Sequence, residues 1–206
     1  MADNKSINNS KSQILDAALE VFVKKGYSET RMDDIVDKSG LSKGAIYHHY
    51  DSKKNLFLAL IDYWEEYFFF KVFFNKDVKS KKAEDLLRDM ATDIIETFKS
   101  SKYILLAELE FWSLANHDED VRAKTEALYM KLMKLIRSII SKGIKENDFK
   151  QLNVDVAALS VMTSLQGVIW FSIFKERFIR SDTKNYLVSR IIFGRNSCSS
   201  THHSPS

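Results

Sequence analysis

Apolar residues recur every three or four positions along most of the chain, which is the spacing of amphipathic helices. The first such stretch contains Ile14, Leu15, Ala18, Leu19 and Phe22. Ser10 and Gln13 have the spacing of a capping box, so they predict that this helix starts at Ser10. Two lysines followed by Gly26 predict where it ends, because cations and then glycine favour a helix C-terminus.

Three more helices are predicted directly after this one. Thr30 is the predicted N-cap of a short second helix, and Ser42 that of a third helix ending near His49. A long fourth helix opens at Asp51 and runs towards Phe73. Short helices joined by a glycine turn are typical of a helix-turn-helix unit.

The polar segment 75–82 interrupts the pattern, and five further helices are predicted beyond it. They are expected at 83–100, 103–115, 120–145, 154–175 and 183–193. Asn153 and Asp182 are the predicted caps of the last two. The chain has six glycines and one proline, Pro205, so helix breakers are scarce. We therefore expect an all-α fold of about nine helices.

Composition narrows the function classes only slightly. The formal net charge of +3 is too small to indicate nucleic acid by itself, so a basic surface has to be local. The single cysteine, Cys198, excludes an internal disulfide and a cysteine metal cluster. The polar N-terminus and the interruption of the apolar stretch 67–74 by Lys71 predict a cytoplasmic protein with no membrane partner.

The sequence offers little support for an enzyme. It contains no nucleophile–base pair, no metal-ligand cluster and no phosphate-binding loop, so we expect neither catalysis nor a cofactor. His117 lies close to Asp118 and Asp120, which suggests a metal site. A solvated turn between two helices is the favoured interpretation of these three residues.

The segment 30–56 carries most of the functional information. Small residues on the third helix would bring its backbone close to DNA, and longer polar side chains would reach phosphates or base edges. Ile46 and Tyr50 are expected to hold this helix on the other two. The predicted DNA-binding residues are Thr30, Arg31, Ser42, Lys43, Gly44, Ala45, Tyr47, His48, His49, Lys53 and Lys54.

The run Gly40–Tyr50, followed by Ser52, Lys53 and Leu56, resembles the DNA-binding signature of the TetR family (TetR/AcrR type). Upstream residues also match that pattern, namely Ile14 to Ala18, Phe22, Gly26, Tyr27 and Thr30. The resemblance covers roughly residues 10–65 and is weak beyond them, apart from the turn at 143–149. His49 departs from it, since the family usually has tyrosine there, and a histidine would make a phosphate contact depend on pH.

The resemblance implies a domain organisation for the whole chain. Residues 10–56 are expected to form the three-helix DNA-binding head, and residues 57–193 a regulatory and dimerisation domain. Residues 1–9 and the serine-rich tail 194–206 are expected to be disordered.

The resemblance also implies a small-molecule site among the C-terminal helices, where aromatic residues and methionines are frequent. The residues predicted to bind the ligand are Trp64, Phe70, Phe111, Trp112, Tyr129, Met133 and Trp170. Ordinary hydrophobic core is the favoured explanation for any one of them. Glu108 and Glu110 would suit a cationic ligand, although we expect each to be exposed at the surface.

Residues 154–174 are apolar on nearly every side, and such a helix needs to be covered on two sides. One subunit can cover only one side, so the pattern predicts a homodimer, as the resemblance does. The predicted interface residues are Ser160, Ser164, Gly167, Tyr186, Leu187 and Ile191.

These predictions lead to a ligand-responsive repressor, released from a palindromic double-stranded operator when a small apolar or aromatic effector binds. Ligand acting instead as a corepressor is left open. The alternative from another class is a ligand-independent architectural or division-associated DNA-binding protein. A large closed apolar cavity would favour ligand control, and a filled core would favour the alternative.

Overall fold

The computed structural model describes residues 2–69, 80–172 and 174, and this part of the chain forms seven α-helices without any β-strand. They are α1 Ala2–Glu29, α2 Met32–Ser39, α3 Lys43–His49, α4 Lys53–Phe69, α5 Ala83–Ala115, α6 Glu119–Lys145 and α7 Val154–Ser172. The predicted all-α class is therefore confirmed. The predicted helix at 183–193, its cap Asp182 and the tail 194–206 lie outside the described residues.

Helix α1 starts earlier than predicted. It begins at Ala2, so the start predicted at Ser10 is wrong, while the disorder predicted for residues 1–9 stays a prediction. No proline or glycine interrupts these residues, and the helical backbone continues through them. Gln13 does not serve a cap, because its Nε2 donates to the backbone oxygen of Ser39, 2.8 Å away. The predicted stop at Gly26 is confirmed, since this glycine has φ 77° and ψ 159° inside the helical run.

Local caps set the bounds of the next helices. The Ser42 hydroxyl oxygen accepts from the Ala45 amide at 3.2 Å, so the predicted cap of α3 is confirmed. Thr30 is not the cap of α2, because Arg31 occupies that position and its amide donates to Asp34 Oδ2 at 2.8 Å. Gly40 ends α2 with φ 69°, a conformation that favours glycine.

The head and the remaining helices share one core. Phe57 on α4 makes edge-to-face contacts with Phe22 on α1 at 5.1 Å and with Phe111 on α5 at 5.7 Å, measured between ring centroids. Phe111 in turn contacts Trp64 on α4 at 6.1 Å. Helix α1 also packs directly on α5. These packed rings connect α4 and α5 directly to α1.

Helices α5, α6 and α7 pack against one another and form the body. The two helices predicted at 83–100 and 103–115 are one helix, α5, which is broken at Ser101 with φ −151° and ψ 55°. The break falls at the predicted junction. The predicted cap of α7 is confirmed, because Asn153 Oδ1 accepts from the Asp155 and Val156 amides at 3.0 and 3.1 Å.

The segment Val154–Phe171 is long and apolar enough to cross a membrane by length and composition alone. Only 28% of this stretch is buried within the subunit. A single helix of this kind is weak evidence for a membrane, because core and interface helices have the same composition. The low burial shows that the subunit itself covers only part of α7.

Candidate nucleic-acid interface and ligand cavity

Helix α3 turns one face to the solvent and the other to the core. Ile46 is fully buried and Tyr50 is 6% exposed, so these two residues fix the helix on its neighbours. The opposite face carries Ser42, Lys43, Gly44, Tyr47 and His48, all exposed, together with the partly exposed Ala45 and His49. The nine consecutive residues from Ser42 to Tyr50 thus divide into an anchoring side and a side that is open to a partner.

The open side suits a close approach to a polyanion. A Cβ atom on Gly44 would meet nothing within 4 Å, so no side chain of the described chain covers the backbone there. Lys43 Nζ lies 2.7 Å from Asp33 Oδ1, and both side chains are more than half exposed. Such a surface ion pair contributes little to stability, so the Lys43 amine is free to exchange Asp33 for a phosphate.

The two predicted DNA contacts at the start of α2 have different positions. Arg31 is exposed. Thr30 is 1% exposed, and its hydroxyl donates to the Gly26 backbone oxygen at 2.7 Å. The Thr30 side chain thus closes the turn after α1, and its predicted contact with DNA stays a prediction.

Lys53 also has a role within the fold that the sequence prediction missed. Its Nζ donates to the backbone oxygens of Tyr27, Ser28 and Thr30 at 2.7, 3.3 and 2.8 Å. The ammonium also lies 4.4 Å from the centre of the Tyr27 ring. Lys53 thus satisfies carbonyls that the end of α1 leaves without helical partners, and its predicted phosphate contact stays a prediction.

Replacing Lys53 with methionine is expected to lower the free energy of unfolding by about 1.5 kcal/mol. This value lies at the low end for hydrogen bonds from charged groups, because the amine stays partly exposed. Urea unfolding of the variant measures the effect, and Lys134→Met on the exposed side of α6 is the matched control. If the variant unfolds at the same urea concentration but binds DNA more weakly, Lys53 contacts a phosphate, as the sequence predicted.

Lys54 was predicted to contact DNA. In the structure it connects the start of α4 to the body. Its Nζ lies 2.8 Å from Asp118 Oδ2 and 2.6 Å from Asp120 Oδ2. The two carboxylates raise the pKa of the Lys54 amine, and Lys54 lowers the pKa of Asp118. Lys54 therefore has two carboxylate partners within the subunit, and its predicted DNA contact stays a prediction.

The turn before α6 shows no sign of a metal site. Asp118 Oδ1 caps α6 by accepting from the amides of Asp120 and Val121 at 3.0 and 3.1 Å. Within the described ranges, no three His, Cys, Asp or Glu side chains are grouped as metal ligands. The turn containing His117 therefore serves as a cap and a contact with the head.

A small cavity lies between α4 and the body helices α5, α6 and α7. Its walls are formed by Trp64, Met90, Ile94, Glu108, Leu132, Ile136, Met162, Leu165, Gln166 and Ile169. It leaves about 30 Å³ for the centres of water-sized molecules. This is room for one or two waters, so in this state the cavity is nearly filled.

Among the predicted ligand residues, Trp64 lines this cavity and Phe70 lies outside the described residues. Phe111 is fully buried behind Trp64, and Met133 and Trp170 are partly buried against the core. Trp112 is 42% exposed, and its Nε1 donates to the Tyr129 hydroxyl at 2.7 Å. The predicted ligand residues therefore do not come together around one cavity.

The structure places Glu108 in the cavity wall, although the sequence favoured an exposed side chain and offered the contact with a cationic ligand only as the alternative. Glu108 is 3% exposed, and its Oε1 accepts from the Tyr129 hydroxyl and from Gln166 Nε2. Burial raises the pKa of Glu108, and the two hydrogen bonds oppose that shift. Periodicity contained a signal, because Glu108 lies in line with the buried Ile104, Phe111 and Ala115.

Glu110, two residues along the same helix, faces the head. Its Oε2 accepts from the Tyr27 amide at 3.2 Å, directly after the break of α1 at Gly26. Burial raises the pKa of Glu110, and the hydrogen bond from Tyr27 partly offsets this. One turn of α5 therefore contacts the cavity with one carboxylate and the head with another.

One side of α7 remains accessible in the single subunit. Val156 and Leu159 are 62% and 56% exposed, and Thr163 follows at helical spacing. A Cβ atom on Gly167 would meet nothing within 4 Å. The predicted interface residues Ser160 and Ser164 are partly exposed beside this side, while Tyr186, Leu187 and Ile191 lie outside the described residues.

Comparison with known proteins agrees with this geometry. Residues 14–60 match the family model of bacterial regulatory proteins of the tetR family, a range that covers most of α1 together with α2, α3 and half of α4. An uncharacterized HTH-type transcriptional regulator of Lactococcus lactis subsp. lactis is 29% identical over 140 residues, covering 66% of this chain and 70% of that protein.

Two further similarities extend over most of the chain. The biofilm operon icaADBC negative transcriptional regulator IcaR of Staphylococcus aureus (strain Newman) is 24% identical over 168 residues, covering 82% of this chain and 87% of IcaR. The crystal structure of Bacillus subtilis FadR in complex with stearoyl-CoA has a TM-score of 0.77 at 18% identity, covering 90% and 99% of the two chains. Together with the helix-turn-helix geometry of α2 and α3, these similarities support a DNA-binding transcriptional regulator of the TetR family.

Proposed function

We propose that this regulator is a repressor that binds a palindromic operator as a homodimer and is released by a small-molecule effector. The observation that carries the proposal is the division of α3 into a buried side and an open side that contains Lys43, Gly44 and Tyr47. A helix held in this way presents short residues and hydrogen-bond donors to the major groove. IcaR, a relative of similar length, is a negative regulator, which supports repression.

The proposed dimer places α7 of each subunit against α7 of its partner. The accessible side of α7 consists of apolar and small residues, and exposed apolar surface of this kind marks an interaction site. Two-fold pairing would set the heads in successive major grooves, about 34–36 Å apart. A palindromic operator follows, because the two heads would read the same half-site in opposite directions.

The proposed release begins at the cavity and reaches the head along two connections. Trp64 and Glu108 line the cavity, on α4 and α5. From there Phe111 contacts Phe57, and Glu110 accepts from the Tyr27 amide. An effector that enlarges the cavity would move α4 and α5, and the shifted heads would no longer match the half-site spacing.

The ligand-independent alternative has one observation in its favour, the small volume of the cavity. A nearly filled core is what that hypothesis predicts. The binding of stearoyl-CoA is a property of FadR and does not by itself indicate a ligand for this chain. The ligand hypothesis accounts better for a buried carboxylate in the cavity wall, since a core without a ligand gains nothing from that charge.

Footprinting of the purified protein on the promoters of its own gene and neighbouring genes tests the function, and a protected palindrome is expected. Affinity for that site should fall with salt, with a log–log slope of about −0.9 for each phosphate contact. Lys43→Ala should reduce the slope by about one contact, while Lys134→Ala on α6 leaves it unchanged. A protein that protects no promoter segment, or binds all DNA equally, would contradict the proposed repressor.

A further inference from the structure

Glu108 is the one charged residue in the wall of the cavity. The other nine lining residues are apolar, apart from the amide of Gln166. At 3% exposure, the Glu108 carboxylate has lost nearly all of its hydration. Burying an ionised carboxylate without an opposite charge is costly, and such groups persist mainly where they have a function.

The hydrogen bonds of Glu108 compensate this cost only in part. Both donors, the Tyr129 hydroxyl and the Gln166 amide, are neutral, and both bind the same oxygen, Oε1. Neither bond occupies Oε2, and no Lys, Arg or His lines the cavity. Burial raises the pKa of Glu108, which is the expected response of a carboxylate that lacks a cationic neighbour. A positive charge inside the cavity would satisfy this carboxylate.

The rest of the wall favours an apolar body attached to that charge. The indole of Trp64 offers a π face to a cation, and Met90 and Met162 have flexible side chains that adapt to the shape of a ligand. An acyl anion would face repulsion from Glu108. The cavity therefore combines features that suit an amphipathic cation and disfavour an anion of the same size.

We propose that Glu108 binds the cationic head of an amphipathic organic amine or quaternary ammonium compound, whose apolar part occupies the cavity beside Trp64. This inference rests on the proposed effector function and names the chemical class of the effector. The cavity has to enlarge to admit it, and the break of α5 at Ser101 allows the segment with Glu108 to move separately from the first half of the helix. The ligand would bind this enlarged state and shift the population towards it.

Calorimetric titration of the full-length protein with three probes of similar chain length tests the charge preference. The probes are hexyltrimethylammonium, 1-hexanol and hexanoate, which carry a cationic, a neutral and an anionic head on apolar chains of six, six and five carbons. The cation is expected to bind about tenfold or more tightly than the alcohol, as an interaction with a buried charge implies, and hexanoate is expected to bind most weakly. Binding of the cation no tighter than the alcohol, or no binding of any probe, would overturn the proposal.

Glu108→Gln should lower the affinity for hexyltrimethylammonium about 10- to 100-fold and leave that for 1-hexanol within about twofold. The amide keeps an oxygen for Tyr129 and Gln166, and a melting curve verifies folding. Glu126→Gln, at an exposed site on α6, is the matched control and should change neither affinity. A Glu108→Gln variant that binds the cation as tightly as the wild type would remove Glu108 from the site.

A second variant neutralises the Glu108 carboxylate without replacing Glu108. Gln166→Lys places an amine next to Glu108, so it should occupy the carboxylate and block the cation without removing Glu108. Cation binding that persists in this variant would count against the proposal. Operator binding of the ligand-free wild type is measured on the same preparations, so failure of the DNA-binding function is distinguished from failure of this inference.

Discussion

Gly44→Leu is expected to reduce operator affinity about 100-fold or more while the protein remains folded. The space around a Cβ at this position is empty to 4 Å and Gly44 is exposed, so a leucine side chain there would extend into solvent. Leucine is also a better helix former than glycine, by up to about 1 kcal/mol, so α3 itself should not be weakened. On DNA, however, the side chain would stand between the α3 backbone and the groove. It would displace base contacts that are each worth about 1–3 kcal/mol.

A graded series makes this experiment decisive. Gly44→Ala adds one methyl group and should weaken operator binding less than Gly44→Leu does, in fluorescence anisotropy titrations against the footprinted site. Lys134→Leu adds the same side chain on the exposed side of α6 and should leave affinity unchanged. Full operator affinity in Gly44→Leu would mean that this side of α3 does not enter the groove.

Predictions that depend on adjacent residues agreed best with the structure. Gly26 ends the regular part of α1, Ser42 caps α3 and Asn153 caps α7. In each case the group and its backbone partner lie within a few residues, so the sequence contains both. Helix starts without a strong local signal were less predictable, and Ser10 proved to be an interior position of α1.

The roles of charged residues depended on partners far away in sequence. Lys53 binds carbonyls 23 to 26 residues earlier, and Lys54 binds Asp118 and Asp120 in a different helical layer. Near a DNA-binding helix, a lysine is equally well explained by a phosphate contact, so spacing alone does not separate these roles. Charge and position restrict a lysine to the surface region, and the packing of the helices then selects its partner.

The candidate ligand site showed the same limit. Phe111 on α5 and Trp64 on α4 are buried, in agreement with the core interpretation that was favoured for each of them. Which of them line a cavity depends on how α4, α5, α6 and α7 are rotated about their axes. Glu108 was expected at the surface from its residue type, since isolated carboxylates are seldom buried. Glu108 is an exception to that tendency, and it is the residue that gives the cavity its charge.

The proposed dimer leads to the second large effect, because the substitution Gly167→Leu should separate the subunits. Glycine in mid-helix costs up to about 1 kcal/mol relative to alanine, and a close crossing with a partner helix would account for it. A Cβ on Gly167 meets nothing within 4 Å in its own subunit, so leucine is tolerated there until a second copy approaches. The larger side chain would then hold the two α7 helices apart.

Sedimentation velocity and operator titration should be carried out together on Gly167→Leu. We expect the dimer to dissociate at concentrations where the wild type stays associated, and operator affinity to fall about 100-fold, because a single head makes half of the phosphate contacts. The residual binding should show little preference for the operator over unrelated DNA. Each subunit should melt as before, since the substitution leaves its core untouched. A variant that remains a dimer with full operator affinity would show that the subunits meet through another surface, and that the accessible side of α7 serves a different partner.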